Sequence, residues 1–223
     1  MKNLITIGLP SKGRLKEKSI SFFNDSGLKI IQSAKERNYF GTIENKPNFK
    51  IIFLHAKEII QRLGDGTLDI GVSGLDLLKE SDKNLQDKIN IQKKLDYGNA
   101  KLVIAVPDDW IDVQTIADLE EISFDVRLKR NTRLRVATKY PNLTNDFLIS
   151  RGVTQYKLIS SLGATETYPF IGSSEVISDI TSTGKTLADN NLRVLKDGLI
   201  LSSTACLLVA KKKSFNLRTY LNF

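Results

Sequence analysis

An acidic residue followed by a segment rich in hydroxyls and glycine stands at residues 179–187, which read DITSTGKTL. A carboxylate such as that of Asp179 accepts hydrogen bonds from sugar hydroxyls, and the amides and hydroxyls of such a loop surround a phosphate. Gly184 lets the backbone approach a ligand, and Lys185 adds positive charge. The segment indicates a site for a phosphorylated sugar, although a helix that stops at Gly184 would use the same residues. A Walker A loop is excluded, because Asp179 stands where that motif has its first glycine.

A second group of polar candidates follows strand-like runs in the N-terminal half. Lys12, Gly13 and Arg14 come after the apolar run at residues 4–9, and Ser73 and Gly74 come after the run at residues 68–72. Parallel strands present their ligand-binding loops at their carboxyl ends, which is where these residues would lie. Solvated or tight turns would need the same residue types, so both interpretations stay open.

The elements that must position these residues alternate along the chain. Further strand-like runs stand at residues 50–54, 101–106, 134–137, 156–162, 192–195 and 199–210, and helical spacing occurs near residues 15–26, 56–63, 113–120, 143–151 and 174–180. This alternation predicts βαβ units with largely parallel sheets. We expect two α/β lobes with the ligand between them: residues 1–104 plus 191–223 form the first lobe, and residues 105–190 form the second.

Composition narrows the class of partner. The 223 residues include 33 Lys and Arg against 25 Asp and Glu, a net charge of +8 that favours an anionic ligand. The single Cys206 and the single His55 exclude a disulfide framework and a Cys/His zinc site. No apolar run reaches the roughly 20 residues that span a bilayer, and no signal peptide is evident, so we expect a cytoplasmic protein.

A longer pattern surrounds the segment at residues 179–187. It consists of Glu166, Gly172, Ser174, Ile177, Asp179, Ile180, Thr183, Gly184, Thr186 and Leu187. These residues stand at the spacing of the signature of the ATP phosphoribosyltransferase family, which the chain resembles. Four further blocks match in the same order, at residues 9–15, 69–74, 95–98 and 135–143.

The resemblance implies a fold similar to that of type II periplasmic binding proteins, with mixed and parallel sheets. It implies transfer of the phosphoribosyl group of phosphoribosyl pyrophosphate to N1 of the adenine of ATP, the first step of histidine biosynthesis, with Mg²⁺ bound to the substrates rather than tightly to the protein. Glu166 and Asp179 would be catalytic. The phosphoribosyl pyrophosphate site would comprise Thr181, Ser182, Thr183, Gly184, Lys185, Thr186 and Leu187. The ATP and polyphosphate site would comprise Lys12, Gly13, Arg14, Arg37, Ser73 and Gly74.

The resemblance also implies partners. The chain is similar to the family's short form, which works in a hetero-octamer with a regulatory subunit that resembles histidyl-tRNA synthetase and confers inhibition by histidine. His55 stands where many relatives have an arginine, and a structural role at a strand end is predicted for it. Two other functions remain open at this point: a non-enzymatic two-lobed module that binds a phosphorylated solute, and a basic protein that binds nucleic acid.

Overall fold

A computed structural model describes residues 4–32 and 39–211 of the chain. Within them the chain forms two compact units. The first unit holds the described residues up to Gly98 together with those from Thr204 onward, and the second holds Asn99–Ser203. The second unit is therefore continuous in sequence, whereas the first is assembled from two separate segments.

The first unit is built on a mixed sheet. Its elements are β1 (Ile5–Pro10), α1 (Gly13–Asp25), β2 (Ile30–Gln32), β3 (Phe40–Ile43), β4 (Lys46–Leu54), α2 (Ala56–Gly64), β5 (Ile70–Gly74), α3 (Leu75–Glu80), α4 (Lys83–Gln86), β6 (Ile89–Lys94) and β12 (Ala205–Ala210). Within the described residues the strand order is β2-β3-β4-β1-β5-β12-β6. Strand β1 runs parallel to both β4 and β5, and β12 runs antiparallel between β5 and β6.

The second unit is also mixed. Its elements are β7 (Ala100–Pro107), α5 (Ile116–Arg130), β8 (Leu134–Thr138), α6 (Pro141–Ser150), β9 (Tyr156–Ser160), a 3₁₀ turn (Thr165–Thr167), β10 (Val176–Thr181), α7 (Lys185–Asp189) and β11 (Leu192–Ser203). The strand order is β11-β7-β10-β8-β9 in the described part of the chain. Strands β8, β9 and β10 are mutually parallel, and β7 is antiparallel to β10. Strand β10 is the central strand of this sheet, and the candidate site residues Asp179 and 181–187 lie on it or directly after it.

Local sequence signals explain where the helices begin. The Thr115 hydroxyl accepts from the amide of Asp118, and the Asp118 carboxylate accepts from the amide of Thr115 at 2.7 Å, so this reciprocal cap starts α5. Helix α6 begins at Pro141, where a missing amide proton costs nothing. The capping box and the proline thus set the first residues of α5 and α6, the helices that connect strands of this sheet.

Apolar side chains fill the interior of each unit. The central strand of the first sheet is β1, whose Ile7 and Leu9 are fully buried, and β12, next to the edge strand β6, contributes the buried Cys206. Burial raises the pKa of the Cys206 thiol. No helix in the described residues has the length and apolar character to cross a membrane.

The structure corrects the prediction in three places. Residues 174–180 were expected to be helical, but Val176–Thr181 form strand β10, and Gly184 precedes a helix instead of ending one. Residues 99–104 and 191–203 were expected in the first lobe, but β7 and β11 pair with each other and belong to the second unit. The predicted strand at residues 199–210 is interrupted at Thr204, so its two halves lie in different sheets.

Candidate active site

Three parallel strands of the second unit end at the same edge of its sheet. Thr138, the last residue of β8, is in register with Ser160 of β9 and with Ser178 of β10. The segments that follow these strands therefore meet at this edge, which we call the carboxyl edge of the second sheet. Two of the predicted site elements, Glu166 and the loop at residues 181–187, lie in those segments.

Asp179 lies one residue beyond that row and is buried, with only 8% of its surface exposed. Its Oδ1 accepts a hydrogen bond of 2.9 Å from the amide of Ile180. Burial raises the pKa of Asp179, and the negative charge of Glu166 raises it further, while the Ile180 amide and the positive charge of Lys139 oppose the shift. The carboxyl group is therefore poorly solvated and responds to every charge placed near it.

Glu166 and Asp179, which the family resemblance predicts to be catalytic, lie close enough together that the negative charge of Glu166 raises the pKa of Asp179. Glu166 lies in the 3₁₀ turn after β9 and is partly exposed. Its neighbour Thr165 is fully buried, and hydrogen bonding by the Thr165 side chain lowers the pKa of Asp179. The Thr165 hydroxyl also contacts the Ser161 hydroxyl at 2.9 Å, so the turn is tied down through its own polar side chains.

The loop after β10 is shaped by its own hydroxyls. Thr181 Oγ1 accepts from the amide of Gly184 at 2.9 Å, and Thr183 Oγ1 accepts from the amide of Lys185 at 3.3 Å. Gly184 has a φ of +78°, which favours glycine because any Cβ there would strain the backbone. Within the described residues the amides of Ser182 and Thr183 donate to no acceptor. This leaves two donors in a loop of suitable shape for an anion.

Exposure divides the predicted loop residues into two groups. The side chains of Ser182, Thr183, Lys185 and Thr186 are exposed and available to a ligand. Leu187 differs, because its side chain is 4% exposed and packs in the core with Ile177 and other apolar residues. Leu187 thus anchors the loop to the sheet.

The first unit presents its candidates at the corresponding edge of its own sheet. Pro10 ends β1 in register with Leu54 at the end of β4, and Ser73 and Gly74 end β5. Lys12 and Arg14 are exposed at the start of α1, and Gly13 has a φ of +67°. The structure therefore brings these residues to one sheet edge, as predicted from their places after strands.

The side chains of Ser73 and His55 have structural partners within the first unit. Ser73 is buried, and its hydroxyl donates to the carbonyl of Ala56 at 2.8 Å, so its side chain links β5 to α2. His55 Nδ1 accepts from the amide of Lys57 at 3.2 Å and begins α2, which is the structural role predicted for it. Arg37 lies outside the described residues.

The comparisons with known proteins agree on one family. The model of the ATP phosphoribosyltransferase family matches residues 55–221. An ATP phosphoribosyltransferase of Brucella melitensis is 44% identical over 93% of this chain and 90% of its own length, and one of Brucella anthropi is 44% identical over 96% and 93%. The chain belongs to the ATP phosphoribosyltransferase family. The predicted resemblance is confirmed, and the family is one of glycosyl-transferring enzymes.

Solved structures support the same conclusion about fold. A chain of the ATP phosphoribosyl transferase (HisG:HisZ) complex from Thermotoga maritima is 25% identical, with a TM-score of 0.70 over 93% of this chain and 88% of that one. The GluR0 ligand-binding core, in complex with L-glutamate, has a TM-score of 0.56 at 10% identity over 96% of this chain and 87% of that one. The predicted likeness to two-lobed binding proteins is therefore confirmed as a likeness of fold, while the ATP phosphoribosyltransferase family, and not a non-enzymatic module, accounts for the sequence.

Because the chain belongs to this family, the carboxyl edge of the second sheet is its candidate active site. Several polar residues at this edge or beneath it were not predicted from the sequence. Thr165 and Ser161 were not singled out, and neither were Thr144 and Ser178, which form a buried hydroxyl contact beneath the edge. The available signal was the unusual density of Ser and Thr around the signature. Lys139, which lies in the matched block at residues 135–143, is near Asp179.

Arg135, which lies in the same matched block, forms an ion pair with Glu175. Its Nη2 contacts Glu175 Oε1 at 2.6 Å, and its amide donates to Glu175 Oε2 at 2.8 Å. Burial alone would raise the pKa of Glu175, but the bonds from Arg135 outweigh it and hold that pKa below its usual range. Both residues stand at the amino ends of their strands, so this ion pair lies at the opposite edge of the sheet from Asp179.

Proposed function

We propose that this chain transfers the 5-phosphoribosyl group of phosphoribosyl pyrophosphate to N1 of the adenine of ATP, the first step of histidine biosynthesis. The lone pair of N1 forms the new bond to the anomeric carbon, and the bond to pyrophosphate breaks with its electron pair leaving on pyrophosphate. The observation that carries this proposal is the meeting of Glu166, Asp179 and the loop after β10 at one sheet edge in a member of this family.

The two carboxylates suit the developing charge of this reaction. Cleavage before full bond formation gives the ribose ring oxocarbenium character, and a fixed negative charge nearby stabilises it. Asp179 is buried, so its charge is weakly screened, and its orientation is fixed by the Ile180 amide. Adenine N1 already carries an in-plane lone pair, so the nucleophile needs positioning more than a general base.

The loop at residues 181–187 is proposed to bind the 5-phosphate. The unused amides of Ser182 and Thr183 and the exposed hydroxyls supply donors, and Lys185 supplies positive charge. Gly184 keeps the loop in a shape that a β-branched residue would strain. In this arrangement the phosphate anchors the ribose beside Asp179.

The carboxyl edge of the first sheet is proposed to bind ATP and polyphosphate. Lys12 and Arg14 are exposed cations beside a turn fixed by Gly13, and Ser73 and Gly74 end the neighbouring strand β5. Arg37 remains a candidate by its place in the sequence alone. Charge complementarity with a triphosphate supports this assignment.

Mg²⁺ is proposed to enter as part of the substrates, bound to their phosphate oxygens, which are the hard ligands it prefers. No protein ligand is assigned to it. The ion would neutralise negative charge on the departing pyrophosphate.

A histidyl-tRNA-synthetase-like regulatory subunit is the proposed protein partner, and the HisG:HisZ complex of the Thermotoga relative supports this assignment. A hetero-octamer and a cytoplasmic location complete the proposal.

The test is an assay of the purified chain with ATP, phosphoribosyl pyrophosphate and Mg²⁺, in which phosphoribosyl-ATP and pyrophosphate are measured separately. Equal amounts of both products, absent when either substrate is omitted, are expected. Tight binding of one substrate without turnover, in the presence and absence of a synthetase-like partner, would contradict the proposal and favour a binding module.

A further inference from the structure

A chain of buried hydroxyls crosses the second unit beneath the carboxyl edge. It consists of Thr138 at the end of β8, Thr144 in α6 and Ser178 in β10, and we call it the hydroxyl chain. Thr144 Oγ1 donates to Ser178 Oγ at 2.7 Å and lies 3.3 Å from Thr138 Oγ1. All three side chains are buried. Three hydroxyls buried together are costly unless each is paired, so their presence calls for a reason.

The hydrogen bonds of the hydroxyl chain have one direction. The amide of Tyr140 donates to Thr138 Oγ1 at 2.9 Å. Because Thr144 gives its only proton to Ser178, the proton between Thr138 and Thr144 must come from Thr138. The donors are therefore, in order, the Tyr140 amide, Thr138 and Thr144, and Ser178 is the final acceptor. Thr144 links the two strands, because it accepts from the end of β8 and donates to β10.

The two ends of the hydroxyl chain lie beside the charged residues of the site. Thr138 precedes Lys139 directly, and Ser178 precedes Asp179 directly. Lys139 is close enough to Asp179 to influence its ionisation. Successive residues of a strand face opposite sides, so the hydroxyl chain lies on the face of β10 away from Asp179 and acts on it through the backbone.

We propose that Thr144 is a positioning residue. Its hydrogen bonds keep the turn that carries Lys139 and the strand that carries Asp179 in a fixed position relative to each other, at the carboxyl edge of the second sheet. The proposal rests on the proposed function, because its consequence is measured in the phosphoribosyl transfer. Replacing Thr144 by valine keeps the volume but leaves the Thr138 proton and the Ser178 oxygen without their partner. The turn and the strand are then free to shift relative to each other.

Two charged groups face Asp179 within the described residues: Lys139 from the β8–α6 turn and Glu166 from the 3₁₀ turn. On β7 the residue in register with Asp179 is Val103, which carries no charge. Lys139 holds the pKa of Asp179 down, and Glu166 raises it. If Lys139 moves away, the pKa of Asp179 rises, and the acid side of the pH profile of kcat moves to higher pH.

The experiment compares Thr144→Val, Thr144→Ser and Ser123→Ala in the full chain, with folding checked by circular dichroism. Ser123 is a matched control, because it is a buried hydroxyl of the same unit whose bond within the described residues is to the Glu120 carbonyl of its own helix. For Thr144→Val we expect a loss of about tenfold in kcat, a change below twofold in the KM for ATP, and an acid limb at higher pH. Thr144→Ser keeps the hydroxyl and should recover kcat to within twofold of the unmodified chain.

Several outcomes would overturn the proposal. These are an unchanged kcat and acid limb in Thr144→Val, an equal loss in Thr144→Ser, or the same change in Ser123→Ala. If Thr144→Val does not fold, Ser178→Ala removes the acceptor end of the hydroxyl chain with a smaller change in volume and must show the same shift of the acid limb. Failure of the unmodified chain to form phosphoribosyl-ATP would instead refute the proposed function, so the two failures are distinguishable.

Discussion

The substitution Asp179→Asn removes the negative charge of the buried carboxylate and keeps nearly the same side-chain shape. The asparagine oxygen retains the hydrogen bond from the Ile180 amide, which is 2.9 Å long in the structure. Its amide group can donate to Thr165, which then donates to Ser161, whose hydroxyl already lies 3.2 Å from the Gly163 carbonyl. Every polar atom of the substituted side chain thus has a partner, and the variant should fold.

The variant should lose most of its activity. If Asp179 stabilises positive charge on the ribose, removing that charge should lower kcat by about 100-fold, which corresponds to roughly 2.7 kcal/mol of transition-state stabilisation. The KM for ATP should change little, because ATP is assigned to the first unit. Initial rates of phosphoribosyl-ATP formation at saturating substrates measure the effect.

The same change should make the fold more stable. Burial raises the pKa of Asp179 above its unfolded value, so its contribution to stability is fully present below the unfolded pKa and is lost as the pH rises through the folded pKa. At neutral pH the ionised carboxylate therefore destabilises the fold, and asparagine does not. A gain of about 1 kcal/mol, common for such substitutions, raises Tm by roughly 2–4 °C for a chain of this size.

Asp125→Asn is the control, because Asp125 is exposed in the same unit and its partner in the described part of the chain is Lys129, in a surface ion pair. It should change neither activity nor Tm. The reasoning is refuted if Asp179→Asn turns over within threefold of the unmodified chain. It is also refuted if activity and Tm fall together, since that result would indicate structural damage.

Three further outcomes are expected. Excess EDTA should abolish turnover and added Mg²⁺ should restore it, because the metal enters with the polyphosphates; full activity in EDTA would exclude this role. Gly184→Val should raise the KM for phosphoribosyl pyrophosphate about tenfold and that for ATP less than twofold, since a φ of +78° costs a β-branched residue roughly 1–2 kcal/mol; equal losses for the two substrates would point to general damage. Histidine should neither bind saturably to the isolated chain in calorimetry nor inhibit it, because both sheet edges are assigned to substrates and feedback needs a separate site; saturable binding with inhibition would place the regulatory site in this chain.

Most of the fold could be predicted where burial and periodicity agree. Strands β1, β4, β5, β7 and β8 and helices α1, α2 and α6 lie close to the predicted ranges, because each has one clear apolar period or a fully apolar run. Strands β2, β3 and β6 were not predicted. They stand at or near the edges of their sheet, and many of their residues are exposed, so apolar patterning marks them weakly.

Strand β10 was predicted wrongly for a different reason. Its apolar residues Val176, Ile177 and Ile180 have helical spacing, while Ser178 and Asp179 are polar yet buried. The burial of Ser178 depends on a partner in α6, far away in the sequence, and that of Asp179 depends on the 3₁₀ turn. The identity of the two carboxylates could be predicted from the signature, but the hydroxyls that fix their surroundings could not, because tertiary contacts alone bring them together.

The split of the first unit has a consequence for the order in which the protein is made. Strand β12 lies between β5 and β6, so their sheet has a gap until Ala205–Ala210 have been synthesised. The continuous second unit, roughly a hundred residues long, leaves the ribosome in between, which takes about 5–20 s at usual rates of translation. During that interval the edges of β5 and β6 have no strand between them, with the apolar Ile70 and Val72 on one of them. The second unit can therefore fold before the first unit, whose sheet is complete only after β12 has been synthesised.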